Sequence, residues 1–133
     1  MTTTLHSDTI THGIRVIADA KYVPERSHPE EGYYFFSYKI TIKNEGPEWA
    51  RLLSRHWIII NAYGDRDDVQ GPGVIGQNPG LAPGESFEYT SFCPLNTEWG
   101  TMEGSYRMQR KNGEEFDVDI GRFYMTTTAP AYD

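Results

Sequence analysis

Tyr33 to Lys43 constrains the fold more than any other stretch. Tyr34, Phe36, Tyr38, Ile40 and Ile42 share one face, while Ser37, Lys39, Thr41 and Lys43 share the other. Side chains alternate across a strand, so the segment predicts a half-buried β-strand with its aromatic and β-branched face against a core. The same period of two recurs along the chain. Gly13 to Ala20 sets Ile14, Val16 and Ala18 against Arg15, Ile17 and Asp19. Glu85 to Cys93 groups Phe87, Tyr89 and Ser91, Thr101 to Met108 groups Met102, Gly104, Tyr106 and Met108, and Glu115 to Met125 groups Phe116, Val118 and Ile120. Asn112-Gly113 between the last two is a strong hairpin signal, because a two-residue turn of the favoured type needs positive φ at both central residues.

Ala50 to Ala62 differs, since its centre His56-Trp57-Ile58-Ile59-Ile60 is apolar on both faces. Such a strand is expected at the middle of its sheet. Pro24 to Gly32 reads as a loop, Asn44-Glu45-Gly46-Pro47 and Tyr63 to Asp68 as turns, and a short strand is expected around Val74. About seven short strands with closely spaced turn signals and no helical period predict an all-β, antiparallel β-sandwich of immunoglobulin or fibronectin type III-like form. The expected core is Phe36, Tyr38, Ile40, Trp57, Ile59, Phe87, Tyr89, Tyr106, Val118 and Ile120. The 133 residues make one domain with an ordered core at about 13–125. The Thr-rich arm Met1 to His12 and the final Thr126 to Asp133 are expected to fray.

Cys93 is the single cysteine, which excludes an intrachain disulfide and favours the fibronectin-like label. With no apolar N-terminal signal the chain reads as cytoplasmic, and runs such as Trp57 to Ile60 are far shorter than the ~20 residues of a membrane helix. The net charge of −7 argues against strong nucleic-acid binding, which draws its affinity from Lys and Arg. Arg51, Arg55 and His56, and separately Arg107, Arg110 and Lys111, form short basic clusters that read as solvated strand faces.

Gly71, Gly73 and Gly76 stand at G-x-G-x-x-G spacing. That spacing binds dinucleotides only after a strand and at the start of a helix, where the helix N-terminus receives phosphate charge. Here Pro79-Gly80 and Pro83-Gly84 follow, so the glycines read as a hairpin or bulge loop.

Around this loop the chain resembles the ApaG family. The residues that carry the resemblance are G-P-G-V-I-G from Gly71, P-G-E-S-F-E-Y-T-S from Pro83, C-P-L-N-T from Cys93 and G-T-M-E-G-S-Y-R-M from Gly100, extended by R-L-L-S-R-H-W from Arg51 and N-G-E-E-F-D-V-D-I from Asn112. The similarity spans nearly all of Gly13 to Phe123. Phe92 departs from it, at a position where the family usually has glycine. The resemblance implies a fibronectin type III-like sandwich that occurs alone in bacteria and appended to eukaryotic F-box and polymerase-interacting proteins, where it acts as an interaction module. It also implies an association with cobalt and magnesium efflux. It marks Gly71, Gly73 and Gly76 as a suspected phosphate- or partner-binding loop.

Catalytic constellations are not visible in the sequence. His6, His12, His28 and His56 are scattered, so no zinc or cobalt site is expected and no metal or cofactor is assigned. Asp65, Asp67 and Asp68 could hold a hydrated magnesium ion or simply form an acidic turn. Ser86, Ser91 and Ser105 lack a nucleophile elbow, and Cys93 would need a base or a positive field to be reactive. Phe92 and Trp99 lie in turn-rich surroundings and are read either as a partner patch or as satellites of the core. The expected function is a non-enzymatic interaction module whose partner is another protein, with a homodimer left open. The alternative is a nucleotide-, pyrophosphate- or metal-responsive protein using the glycine loop.

Overall fold

Alternating segments fold here as strands that bury one face. In the computed structural model, which describes residues 5–128, the strands are β1 (Ser7–Thr11), β2 (Ile14–Tyr22), β3 (Tyr34–Asn44), β4 (Ala50–Asn61), β5 (Arg66–Pro72), β6 (Gly80–Leu81), β7 (Ser86–Leu95), β8 (Trp99–Arg110) and β9 (Glu115–Thr126). Single 3-10 turns occur at Pro24–Arg26 and Pro29–Glu31. All pairing is antiparallel. One sheet runs β1-β2-β3-β7, the other β5-β4-β8-β9, and β6 pairs with the start of β4. The two sheets face each other as a sandwich, and the doubly apolar β4 is an interior strand of its sheet, as its sequence predicts.

The core joins Ile14, Val16, Phe36, Ile40 and Ile42 from one sheet to Leu52, Trp57, Met102, Tyr106 and Phe123 from the other. Aromatic edges organise its centre. Trp57 stands edge-on to Tyr38, Tyr106 and Phe123, with ring centroids 5.4, 6.3 and 5.9 Å away. The hydroxyls of Tyr89 and Tyr106 bond to each other, which satisfies polar atoms that burial would otherwise leave at a cost. Ile59 and Phe87 depart from the expected core, being only half-buried. Ile59 faces a flank where the sandwich stays open, and Phe87 lies on an outermost strand.

The N-terminal arm is a second departure. Ser7–Thr11 is a strand paired along β2, turning at His12-Gly13 with φ of 50° and 82°. Its threonines, which read as a polar arm, serve as ladder atoms against the other sheet. Thr9 Oγ1 donates to the carbonyl of Asp119 at 3.1 Å, and the Asp119 N–H donates to Thr11 Oγ1 at 3.2 Å. Further along, the Tyr124 N–H donates to the Leu5 carbonyl at 2.9 Å. β1 thereby seals the flank between β2 and β9, and Gly121 is there because a Cβ would press on Thr9 at 2.8 Å. Residues 1–4 and 129–133 of the expected arms lie outside the described residues.

The turn expected over Tyr63 to Asp68 is shorter than it reads. Asn61 Oδ1 accepts the N–H groups of Tyr63 and Asp65, both at 3.0 Å, and by Arg66 the chain is already a strand. β5 misleads because it is exposed along nearly its whole length, so nothing selects an apolar face. The strand expected at Val74 is a single bridge, Val74 to Gln77.

Candidate functional site

On the flank opposite β1 the two sheets end in β5 and β7, and neither strand is paired on its outer side among the described residues. A cleft of about 600 Å³ opens between them. Trp57, Ile59, Met102 and Leu95 supply apolar lining, β7 contributes Ser91 to Pro94, and β5 contributes Asp67 and Val69. Phe92, 52% exposed, belongs to its rim.

Phe92 sits on the outer face of β7, opposite Ser37. Its ring lies 5.3 Å from that of Phe35, and the Arg26 guanidinium rests 4.3 Å above Phe35 and 5.4 Å from Phe92. Tyr33 continues the row at 6.3 Å from Phe35, and His28 lies 6.2 Å beyond it. A cation stacked over two rings gains from their negative faces and orders the patch. The sequence carried a signal for this row: Phe35 falls on the face of β3 that otherwise holds Ser37, Lys39 and Thr41, and Tyr33, just before β3, keeps the same alternation. Trp99, 47% exposed, lies elsewhere, in a concavity with Tyr34, Tyr63 and Thr97. The two candidate aromatics are therefore not joined in one cleft.

The glycine loop is locked from inside. Gly71 belongs to β5 and pairs with Arg55, whose guanidinium would lie 3.0 Å from any Cβ added at Gly71. Arg55 Nη1 donates to the carbonyls of Pro72 and Gly73 at 2.9 and 3.0 Å. Gly73 has φ of 60°, and a Cβ there would strike the Gln77 carbonyl. Val74 and Gln77 exchange reciprocal backbone bonds of 2.8 Å around Ile75 and Gly76, at φ of 42° and 77°, which is a type I′ turn. Asn78 ties the loop to β4 by donating to the carbonyls of Leu52 and Leu53, each at 3.1 Å. The N–H groups of Gly73, Val74 and Gln77 are thus engaged, which leaves the tip amides of Ile75 and Gly76.

Charged side chains pair off rather than converge. Arg66 grips Asp68 with two bonds of 2.7 and 2.9 Å, and His56 Nε2 meets the same carboxylate at 2.8 Å. The Arg66 bonds first, and His56 second, hold the Asp68 carboxyl far below the usual range. Asp65 and Asp67 line the cleft instead, so the three aspartates do not gather. Among the described residues no group of three His, Cys, Asp or Glu is placed to hold a metal ion. Arg107 bridges Glu115 and Asp117, and Arg110 donates to the carbonyls of Glu48 and His12 while covering Phe116. Arg51 lies over Trp49.

Nucleophiles are quiet. Burial, helped by nearby Asp67, pushes the Cys93 thiol up to about 12, which leaves little thiolate near neutrality. Ser105 faces His56 in strand register and His56 holds Asp68, but no side-chain hydrogen bond joins Ser105 to His56 among the described residues. No helix among them is long and apolar enough to cross a membrane.

Comparison with known proteins agrees with the sandwich. The chain is 49% identical over 111 residues to Protein ApaG of Bdellovibrio bacteriovorus, covering 84% of this chain and 87% of that one. It is 50% identical over 117 residues to Protein ApaG of Anaeromyxobacter dehalogenans, covering 88% and 92%. The crystal structure of a putative ApaA protein from Bordetella pertussis superposes with a TM-score of 0.81 at 42% identity, covering 92% of this chain and 95% of that one. The ApaG domain itself matches residues 24–110, and with relatives near half identity over most of its length, the chain belongs to the ApaG family.

Proposed function

We propose that this chain is a non-enzymatic interaction module that receives another protein at the open flank between β5 and β7. The observation that supports this is the asymmetry of the two flanks. One is closed by the hydroxyls of Thr9 and Thr11, while the other keeps an apolar-floored cleft with Phe92 exposed at its rim. An exposed aromatic beside a desolvated pocket is the usual anchor of a protein interface. The quiet Cys93 thiol and the paired Asp68 and Arg107 fit binding better than turnover, and binding of this kind needs no cofactor. In this reading the association with cobalt and magnesium belongs to the partner, and the module acts on ion balance by contact, in the cytoplasm.

A photoreactive benzoylphenylalanine placed at Phe92, and in a control at Asp119 on the sealed side, tests this in the native cell. Adducts with one defined protein at Phe92 and none at Asp119 are expected. Adducts equally frequent at both positions, or at neither, would refute the assignment.

A further inference from the structure

The backbone of β7 carries the inference further, resting on the interaction reading above. Phe35 donates its N–H to Ser27 Oγ at 2.9 Å and accepts the Val23 N–H on its carbonyl at 2.8 Å. Both of its main-chain groups therefore point away from β7. Phe35 is the register partner of Pro94, and the backbone groups of an antiparallel strand alternate sides residue by residue. Those of Pro94, and of Phe92, Thr90 and Glu88 before it, consequently point away from β3, into the open edge. The far end of the strand has the same phase, because the Asn44 N–H bonds to the carbonyl of Glu85. Phe92, Thr90 and Glu88 thus offer N–H and C=O groups outward, while Pro94 offers only its carbonyl. Proline at that position costs the sheet no bond, which is where edge strands tolerate it.

We propose that this edge accepts an added strand: an extended segment of the partner protein that pairs along Glu88–Pro94. Pairing there satisfies the outward groups and places alternate side chains of the incoming segment between the sheets. The cleft waiting for them is about 600 Å³ and floored by Trp57, Ile59 and Met102, so those alternate residues are apolar. Its charged lining selects further. Arg66 is held by Asp68, and Arg55 by the carbonyls of Pro72 and Gly73, whereas Asp65 and Asp67 have no ion pair among the described residues. The segment therefore carries a Lys or Arg beside its apolar residues. Pro94 itself has no N–H to give, so the added ladder loses one bond at that position.

The test uses full-length protein carrying benzoylphenylalanine at Phe92, in three backgrounds. Thr90→Pro removes an outward N–H and obstructs an incoming strand without touching a bond to β3, while Thr90→Ala keeps the N–H. Loss of at least nine-tenths of the adduct in Thr90→Pro and its retention in Thr90→Ala are expected, with the circular dichroism of both unchanged. Equal adducts in both variants would overturn strand addition and leave the interaction module standing, whereas no adduct in any background would reject the module itself. An adduct with a second copy of this chain would show a self-interface and also overturn the proposal. Should Thr90→Pro fail to fold, amide exchange of the unaltered protein decides, with acetyl-Val-Thr-Val-Thr-Lys-amide at millimolar concentration as the probe. Exchange at Thr90 and Phe92 slowed at least tenfold supports the proposal. Protection of Arg66, Asp68 and Gln70 instead, or no protection, contradicts it.

Discussion

The indole of Trp57 meets the ring of Tyr38 edge-on, at 5.4 Å and an interplanar angle of 67°. This contact crosses from one sheet to the other and lies under the cleft, so the core that holds the sandwich together also floors the binding flank. Trp57→Ala removes the ring that touches Tyr38, Tyr106 and Phe123 at once and should cost about 3–5 kcal/mol. Urea unfolding reads this loss, and a midpoint like that of the unaltered protein would contradict the packing. Iodide should barely quench the Trp57 component of the fluorescence.

Gly104 is fitted to the carbonyl of His56 across the β4–β8 ladder, where a Cβ would collide with that oxygen and crowd Trp57 Cα at 3.2 Å. The β8–β9 register shifts beside it, between Met102 and Gly104. Backbone cannot give way as a side-chain tip does, so Gly104→Ala should destabilise by at least the ~1–3 kcal/mol typical of overpacking. Gly113→Ala is the comparison, since Gly113 has open space around it and only its φ of 91° resists a side chain. Calorimetry should find a clearly larger fall in Tm for Gly104→Ala, and equal falls would count against the collision.

Cys93 should resist alkylation in the native state. Its side chain is buried, and the thiol is raised to about 12, so at pH 8 neither access nor ionisation favours attack. Labelling with iodoacetamide should proceed only through opening and accelerate in step with unfolding by urea. Rapid native-state labelling at pH 8 would mean that the cleft exposes the sulfur.

Much of this fold is legible in period-two alternation, because β3, β7, β8 and β9 each bury one face and leave the other wet. Where burial is not one-sided the pattern fails. β5 is exposed on both faces, so its aspartates look like a turn, and β1 is held partly by Thr9 and Thr11 hydroxyls, which look like a polar arm. The candidate site is less legible still. The glycine spacing is conspicuous, yet the structure uses Gly71 to clear Arg55 and Gly73 to clear the Gln77 carbonyl. Phe92 stands out in sequence, but its company of Phe35 and Arg26 arises from cross-strand register that alternation does not encode.

Acid should weaken the β4–β5 ladder through Asp68. Its carboxyl is held below the unfolded value of about 4, chiefly by Arg66 and then by His56, so the unfolded chain binds this proton more tightly. The stabilisation is therefore complete above about pH 4 and fades as the pH falls towards the lower folded-state value. Asp68→Asn should lower the urea midpoint at pH 7, and the gap to the unaltered protein should narrow as the pH approaches about 2. A gap constant over that range would show that this charge is not linked to stability.

Nucleotide binding at the glycine loop should be weak. An anion nest works by aiming several free N–H groups at one point, but those of Gly73, Val74 and Gln77 already have partners and Arg55 is turned to carbonyls. Asp65 and Asp67 line the neighbouring cleft and oppose a polyphosphate. ATP or a dinucleoside polyphosphate should therefore bind no tighter than roughly millimolar, equivalent to about 4 kcal/mol. Titration of isotope-labelled protein with and without magnesium measures this directly. Micromolar affinity without metal, with shifts centred on Gly71, Gly73 and Gly76, would mean that the loop opens to expose its amides, and the internal bonds to Gln77 and Leu53 would then have to break on binding.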